Sequence, residues 1–532
     1  MKVDNCFGIM LDCSRNAVMS VCAVKDLIDK MSVMGYNCLM LYTEETYEIE
    51  SQPLFGYLRG RYSKAELKEI VKYADSKNIE TIPCIQTLAH LEKIFQYPEY
   101  QAYNDMDNIL LVDDDRTYNL IEEMFKTCKE CFTTDRIHIG MDEAHNLGLG
   151  NYLTKHGYEN RFDIFVKHLD KVCAIAEKYG LKPLIWSDMF FRLLYDGDYY
   201  GTGKQMPESV KEKIPESVDI VYWDYYHEKE SEYSNYIKQH KALNREIWFA
   251  GGAWKWHGFN SANVLSNNRT KNAIKACKKH GINNVVITLW GDNGNECPLY
   301  SILPSLLYAS ECFKGNYSVK NAKQKFKELF GESWSDFILL DMKNSNLEVN
   351  ELERNDLKKM FFNDCFLGKC DYEAINSGWT REEFLKLSKK FKNAKKKSVN
   401  FAYLFDSYQK LSSFLAVKFD LGYRTRIAYQ SGNKAELQLI LKDYNLAIKS
   451  LKLFLESFRR MWYNDNKPHG FDVQEIRIGG TLQRLKSCSA RLKDYLTGKM
   501  ETILELEEKM VEFKGGPKSE NIYSYAVTVN LF

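Results

Sequence analysis

Eight short apolar runs recur along the first part of the chain, at residues 7–11, 37–42, 80–86, 136–141, 182–187, 219–223, 246–250 and 284–290. Each is followed by a polar loop and, in most cases, by a longer segment whose apolar positions repeat at helical spacing, as at 17–34, 63–77, 118–131, 161–179, 231–242 and 264–280. Short apolar runs bounded by turn residues indicate buried strands, and a 3.6-residue period indicates amphipathic helices. Strands alternating with helices in this number predict an α/β chain with a (β/α)8 TIM barrel over residues 1–315. The fifth crossover is the weakest, because 197–212 is Gly-rich with only a hint of helix at 207–213. An open doubly wound sheet is the alternative.

Beyond residue 316 the strand runs give way to long helical periods at 381–394, 401–429, 434–460, 473–497 and 501–513. These predict a mainly α-helical C-terminal domain over 316–532, with an apolar alternation at 523–529 that reads as a terminal strand.

A barrel makes a demand on the sequence: chemistry should sit just after each strand, at the C-terminal face. Asp12 and Arg15 follow the first run, Glu44 and Glu45 the second, and His90 the third. Trp186 and Asp188, Trp223 and Asp224, Trp254 and Trp256, and Trp290 and Asp292 follow the last four. The fourth run belongs to the stretch DRIHIGMDEAHNLGLG, from Asp135 to Gly150, and leads into adjacent carboxylates, Asp142 and Glu143. Strand alternation predicts His138, Gly140 and Asp142 on one face and Ile137, Ile139 and Met141 on the other. Two neighbouring acids must be solvated or paired, or one of them must keep a proton near neutral pH.

Composition narrows the partner. Lys+Arg 73 against Asp+Glu 72 leaves a net charge of +1, so no global field favours nucleic acid or an anionic membrane. No stretch of about 18 apolar residues is present and the start lacks a leader pattern, which predicts a cytoplasmic protein without a membrane partner. The 14 Cys are scattered through strands and helices and suit buried thiols, the Cys128 and Cys131 pair included. The lysine-rich run 389–397 reads as a solvated helix face. Six of the 9 Trp lie between Trp186 and Trp290. Four Trp at strand ends, with Asp, Arg and His between them, suit a sugar, which offers a C–H face to aromatic rings and hydroxyls to charged groups. Two adjacent acids on one loop are poorly placed to flank a glycosidic bond in the usual way. They suit a division of labour in which Glu donates the proton and Asp holds a substrate group that itself attacks the anomeric carbon.

The segment His138-Ile-Gly-Met-Asp-Glu143 resembles the His-x-Gly-Gly-Asp-Glu signature of the β-N-acetylhexosaminidases of glycoside hydrolase family 20, with Met141 in place of the second Gly. Gly8-Ile-Met-Leu-Asp-Cys-Ser-Arg15 resembles that family's first strand and sugar-gripping Arg, and Leu-Trp290-Gly-Asp292 its Trp-Gly-Glu. The likeness is to a compact intracellular bacterial branch without the amino-terminal α/β domain. It implies exo-acting, retaining removal of terminal non-reducing β-linked GlcNAc, or GalNAc, through an oxazolinium intermediate. Glu143 would be the general acid and later the base, and Asp142 would orient the 2-acetamido group. Arg15 and Asp292 would grip hydroxyls, while Trp186, Trp223, Trp254 and Trp290 would enclose the sugar, with His90 and His138 in support. The family's Tyr after the seventh strand is missing, since Lys255, Trp256 and His257 follow Trp254; Tyr225 or Tyr226 is expected to replace it. The expected partner is a small glycan or glycoconjugate; neither a cofactor nor a metal is called for, and a homodimer is allowed. A non-catalytic sugar-binding barrel, and a metal-dependent barrel enzyme using His138, Asp142, Glu143 and His145, are the alternatives.

Overall fold

The computed structural model describes residues 2–201, 206–344 and 355–510. The chain divides into two compact units, one formed by 1–253, 266–290 and 305–322, the other by 254–265, 291–304 and 323–532. The dividing line therefore differs from a single cut at residue 315: the segments after the seventh and eighth barrel strands cluster with the helical unit.

The first unit is a closed parallel barrel. Its strands are β1 (Phe7–Asp12), β2 (Cys38–Thr43), β3 (Glu80–Ile85), β6 (Arg136–His138), β7 (Lys182–Trp186), β8 (Asp219–Trp223), β9 (Ile247–Gly252) and β10 (Asn284–Leu289), while β4 (Asn104–Met106) and β5 (Ile109–Leu110) form a separate antiparallel hairpin. β1 pairs with both β2 and β10, which closes the sheet and excludes the open doubly wound alternative. All eight barrel strands are buried almost throughout, as parallel strands covered on both faces must be. Near the start of β3 and β6 the barrel buries an ion pair, Arg136 to Glu80 at 2.8 Å.

The helix expected from residue 17 begins at Val21, because the Ser20 hydroxyl caps it by accepting from the Ala23 N–H. It ends at Gly35, whose φ of 91° suits a residue without a Cβ. Val24, Leu27, Ile28 and Met31 form its buried stripe. Each such side chain contributes about 1.5–3 kcal/mol on burial. Cys128 and Cys131 are both buried on the helix Asp115–Cys131.

The helical unit contains Arg381–Lys397, Ala402–Lys418, Leu421–Gln430, Lys434–Asp465 and Phe471–Leu496. The single segment expected at 401–429 is two helices, broken where Asp420 accepts from the Arg424 guanidinium at 2.9 Å. Within 501–510 only Leu504–Glu507 is helical, and the alternation at 523–529 lies outside the described residues. On Arg381–Lys397 the lysines point outward, whereas Phe384, Phe391 and Ala394 are buried.

Candidate active site

β6 stops at His138, three residues short of the expected strand. The reason is the backbone: Gly140, Met141 and Glu143 have φ of 69°, 70° and 50°, which no strand accommodates. Alternation consequently fails beyond His138, and Asp142 and Glu143 sit on a tight left-handed turn. Three contacts hold that turn. His138 Nδ1 accepts the Gly140 N–H at 3.1 Å, the Gln86 side-chain oxygen accepts the Met141 N–H at 3.1 Å, and the Asp188 carboxylate accepts the Glu143 N–H at 3.1 Å. A Cβ on Gly140 would lie 2.1 Å from Gln86 Oε1, so only glycine fits there. Farther along, Asp105 in β4 accepts the N–H groups of Gly148 (2.7 Å) and Tyr152 (2.8 Å), and so anchors the far end of the loop to the hairpin.

The two acids live in different surroundings. The Asp142 side chain is 14% exposed, and that of Glu143 is 40% exposed. His90 Nε2 lies 3.3 Å from Asp142 Oδ2 and 3.7 Å from Glu143 Oε2. Burial disfavours a charge on His90, but the Asp142 carboxylate outweighs it and lifts the imidazole to about 9. Burial likewise works against Asp142, yet His90 and the Gln86 amide, which donates to it at 2.8 Å, hold its carboxyl at about 2. The pair is thus an imidazolium and a carboxylate at neutral pH. Two other carboxyls keep protons much longer. Burial pushes Glu44 up to about 7 even though Arg15 stands 3.1 Å away. Burial, with the charges of Asp142 and Glu143, pushes Asp188 up to about 7 as well. Arg192 bridges this corner, 3.1 Å from Asp188 and 3.9 Å from Glu143.

Aromatic rings line the same end of the barrel. Arg15 lies 4.8 Å from the Tyr42 ring centroid and 5.0 Å from that of Trp290. Trp290 stands edge-on to Tyr42 at 4.8 Å, tilts against Trp186 at 6.3 Å, and donates its indole N–H to the Tyr225 hydroxyl at 3.0 Å. Trp223 stacks on Tyr225 at 5.4 Å. Trp186 packs on His138 at 4.3 Å, and burial pushes that imidazole down to about 3, leaving it neutral.

A deep, fixed anion thus lies beside a more open acid, two adjacent carboxyl groups in unequal surroundings. The family profile described as "Glycosyl hydrolase family 20, catalytic domain" matches residues 7–245, and "Glycoside Hydrolase 20C C-terminal domain" matches 335–524. The chain belongs to glycosyl hydrolase family 20. Among relatives of this family 20 chain, Hexosaminidase D of Bos taurus is 23% identical over 220 residues, covering 40% of the chain and 60% of the relative. Hexosaminidase D of Homo sapiens is 22% identical over 222 residues, covering 40% and 43%. The chain thus spans less than two thirds of the length of either relative. The solved structure of a GH20 exo β-N-acetylglucosaminidase from Vibrio harveyi, in complex with N-acetylglucosamine, is 15% identical and covers 63% of this chain and 58% of its own, with a TM-score of 0.46.

In the family 20 chain Arg15, His90, His138, Asp142, Glu143, Trp186, Trp223, Tyr225 and Trp290 all belong to the barrel unit, whereas Trp254 and Asp292 belong to the helical one. There Trp254 stacks on Trp256 at 4.4 Å. Of the two tyrosines considered, Tyr225 is buried and bonded to Trp290, while Tyr226 is 38% exposed. Asp224 is taken up by its own neighbours, accepting from Tyr222 at 2.5 Å and lying 2.7 Å from His227. Sequence reasoning missed Gln86, a buried amide at the end of the third run that bonds Tyr42, Asp142 and the Met141 N–H together. It also left Arg192 unmentioned. The signal available for Gln86 was an uncharged polar residue closing an apolar run at a barrel strand end.

Proposed function

We propose that this chain is an exo-acting β-N-acetylhexosaminidase that removes terminal non-reducing β-linked N-acetylglucosamine, or N-acetylgalactosamine, by a retaining, substrate-assisted route. The observation that carries the reading is the unequal acid pair. Asp142 is buried, bonded by Gln86 and paired with His90, so it remains an anion that can accept the acetamido N–H and balance a cyclic cation. Glu143 is half-open on a rigid turn, positioned to protonate the departing oxygen and then to activate water. The substrate's own acetamido oxygen supplies the nucleophile. Arg15 and Asp292 bind hydroxyls, Trp186, Trp223, Trp254 and Trp290 face the ring and the acetamido methyl, and Tyr225 is the hydroxyl directed at the acetamido oxygen. His90 and His138 support the acids. Family membership and the relatives' names support the activity.

The protein is read as cytoplasmic; none of the 14 cysteines is in a disulfide, which suits a reducing compartment. No helix among the described residues is long and apolar enough to cross a membrane. Assembly as a homodimer is a further expectation, which sedimentation of the full chain tests. The metal-dependent alternative requires three or more ligating side chains to converge, and among the described residues no such group occurs.

The test compares 4-nitrophenyl N-acetyl-β-glucosaminide with 4-nitrophenyl β-glucoside. The proposal expects turnover of the first and near silence on the second, which lacks the internal nucleophile. Equal rates would remove substrate assistance, and binding of N-acetylglucosamine without turnover would favour a non-catalytic sugar-binding barrel.

A further inference from the structure

The segment carrying Asp292 has a backbone that will not hold its shape alone. Asn293, Gly294 and Asn295 have φ of 60°, 121° and 58° in succession. Consecutive left-handed residues are rare and persist where surrounding contacts over-determine them. Here the contacts come from the helical unit, to which residues 291–304 belong. The Asn293 carbonyl accepts from Lys358 Nζ at 3.0 Å and from the Arg477 guanidinium at 2.8 Å. The Gly294 carbonyl accepts from the Gln474 amide at 2.7 Å. The Asn295 side chain accepts from Lys255. Glu296 then binds both cations, Lys358 at 2.8 Å and Arg477 at 3.3 Å.

This cluster is unusual in its burial. The side chains of Lys358, Glu296 and Arg477 are 0%, 1% and 1% exposed. Burying three charges carries a desolvation cost that apolar residues of similar size would avoid, so its presence asks for a reason beyond stability. The geometry points to one. We infer that Lys358, Glu296 and Arg477 are positioning residues that clamp the 293–296 turn and thereby set Asp292. Gln474 and Arg477 lie one turn apart on Phe471–Leu496, and Lys358 is on Asp356–Phe362, so two separate helices grip consecutive carbonyls. The inference rests on the assignment of Asp292 to the sugar hydroxyls made above.

A double-mutant cycle on the full chain tests it. The clamp variant is Glu296→Gln with Lys358→Met, which removes one charge of each sign and keeps side-chain size; the second arm is Asp292→Ala. On 4-nitrophenyl N-acetyl-β-glucosaminide the clamp variant is expected to lose about tenfold or more in kcat/KM, mainly through KM, because misplacement near 1 Å is enough for such losses. In the Asp292→Ala background the same pair should cost less than about twofold, since there is no longer a carboxylate to misplace. Equal losses in both backgrounds, or no loss in the parent background, would overturn the clamp. Hydrogen exchange gives a readout independent of turnover. The 293–296 amides should exchange about tenfold faster in the clamp variant while β6 amides keep their rate, and unchanged 293–296 exchange overturns the inference. If Asp292→Ala itself leaves kcat/KM unchanged, the assignment of Asp292 to the sugar fails, and that outcome is separable because the exchange result still reports on the clamp.

Discussion

Gly140→Ala probes the turn on which both acids depend. The new Cβ would lie 2.1 Å from Gln86 Oε1 and 2.8 Å from the Ile85 carbonyl, at a φ of 69°. A non-glycine residue in that region costs about 1–2 kcal/mol. Gln86 must swing away, which leaves the buried Met141 N–H without its acceptor at about 1–3 kcal/mol and removes a hydrogen bond to ionised Asp142 worth about 1.5–3 kcal/mol. The total is about 4–8 kcal/mol, or a melting-temperature fall of about 8–16 °C in a barrel of this size. The kinetic consequence is a loss of about 100-fold in kcat/KM, because Asp142 and Glu143 move together. Gly180→Ala is the control. Its φ is 60°, but nothing lies within 4 Å of its Cβ, so it carries the backbone cost alone. That predicts a fall of about 2–4 °C with unchanged kinetics. Differential scanning calorimetry and steady-state assays of the two variants decide the matter. If Gly140→Ala melts with Gly180→Ala and keeps kcat/KM within about threefold, the turn does not set the acids.

Three more outcomes follow from the site. Glu143→Gln should slow substrates with poor leaving groups by about 10²- to 10⁴-fold and activated aryl substrates far less, which a leaving-group series measures; a uniform loss would assign Glu143 another role. Asp142→Asn should depress all acetamido substrates, by about 10²-fold, while the fold measured by circular dichroism persists. The third concerns pH. His90 titrates at about 9 in the folded protein against about 6.5 when unfolded, so the stability it contributes is complete below about 6.5 and is lost as pH rises through 9. The groups facing it are Asp142, Glu143, Glu44 and Arg15. Glu44 and Asp188, both near 7, lose their contribution earlier, as pH rises from about 4 to 7. Melting temperature should therefore fall between pH 7 and 9 in the parent and stay flatter in His90→Gln; parallel curves would contradict the imidazolium.

The barrel was legible because its strands are buried on both faces and appear as apolar runs, and the polar residues at their ends follow from the direction of the strands. The β4–β5 hairpin was not, because strands of three and two residues carry no period. Alternation misplaced residues 140–142: it assumes extended backbone, whereas Gly140 in the run was the sign that the strand ends. The doublet was visible, but the pairing that holds Asp142 as an anion was not. That depends on His90 and Gln86, which lie 52 and 56 positions from Asp142 in the chain and reach it because β3 and β6 are neighbours in the closed sheet. Nor could spacing reveal that protons linger on Glu44 and Asp188, since burial, the main cause, is a property of the folded packing.

The central claim is that Asp142 serves an attack by the substrate's own acetamido oxygen. Its most direct test is a series of 4-nitrophenyl β-glucosaminides whose N-acyl group is acetyl, monofluoroacetyl, difluoroacetyl or trifluoroacetyl. Each fluorine withdraws electrons from the carbonyl oxygen and weakens it as a nucleophile. The account predicts that log kcat/KM falls steeply and regularly across the series. A flat series would contradict it, because it would mean that the nucleophile belongs to the protein or to water.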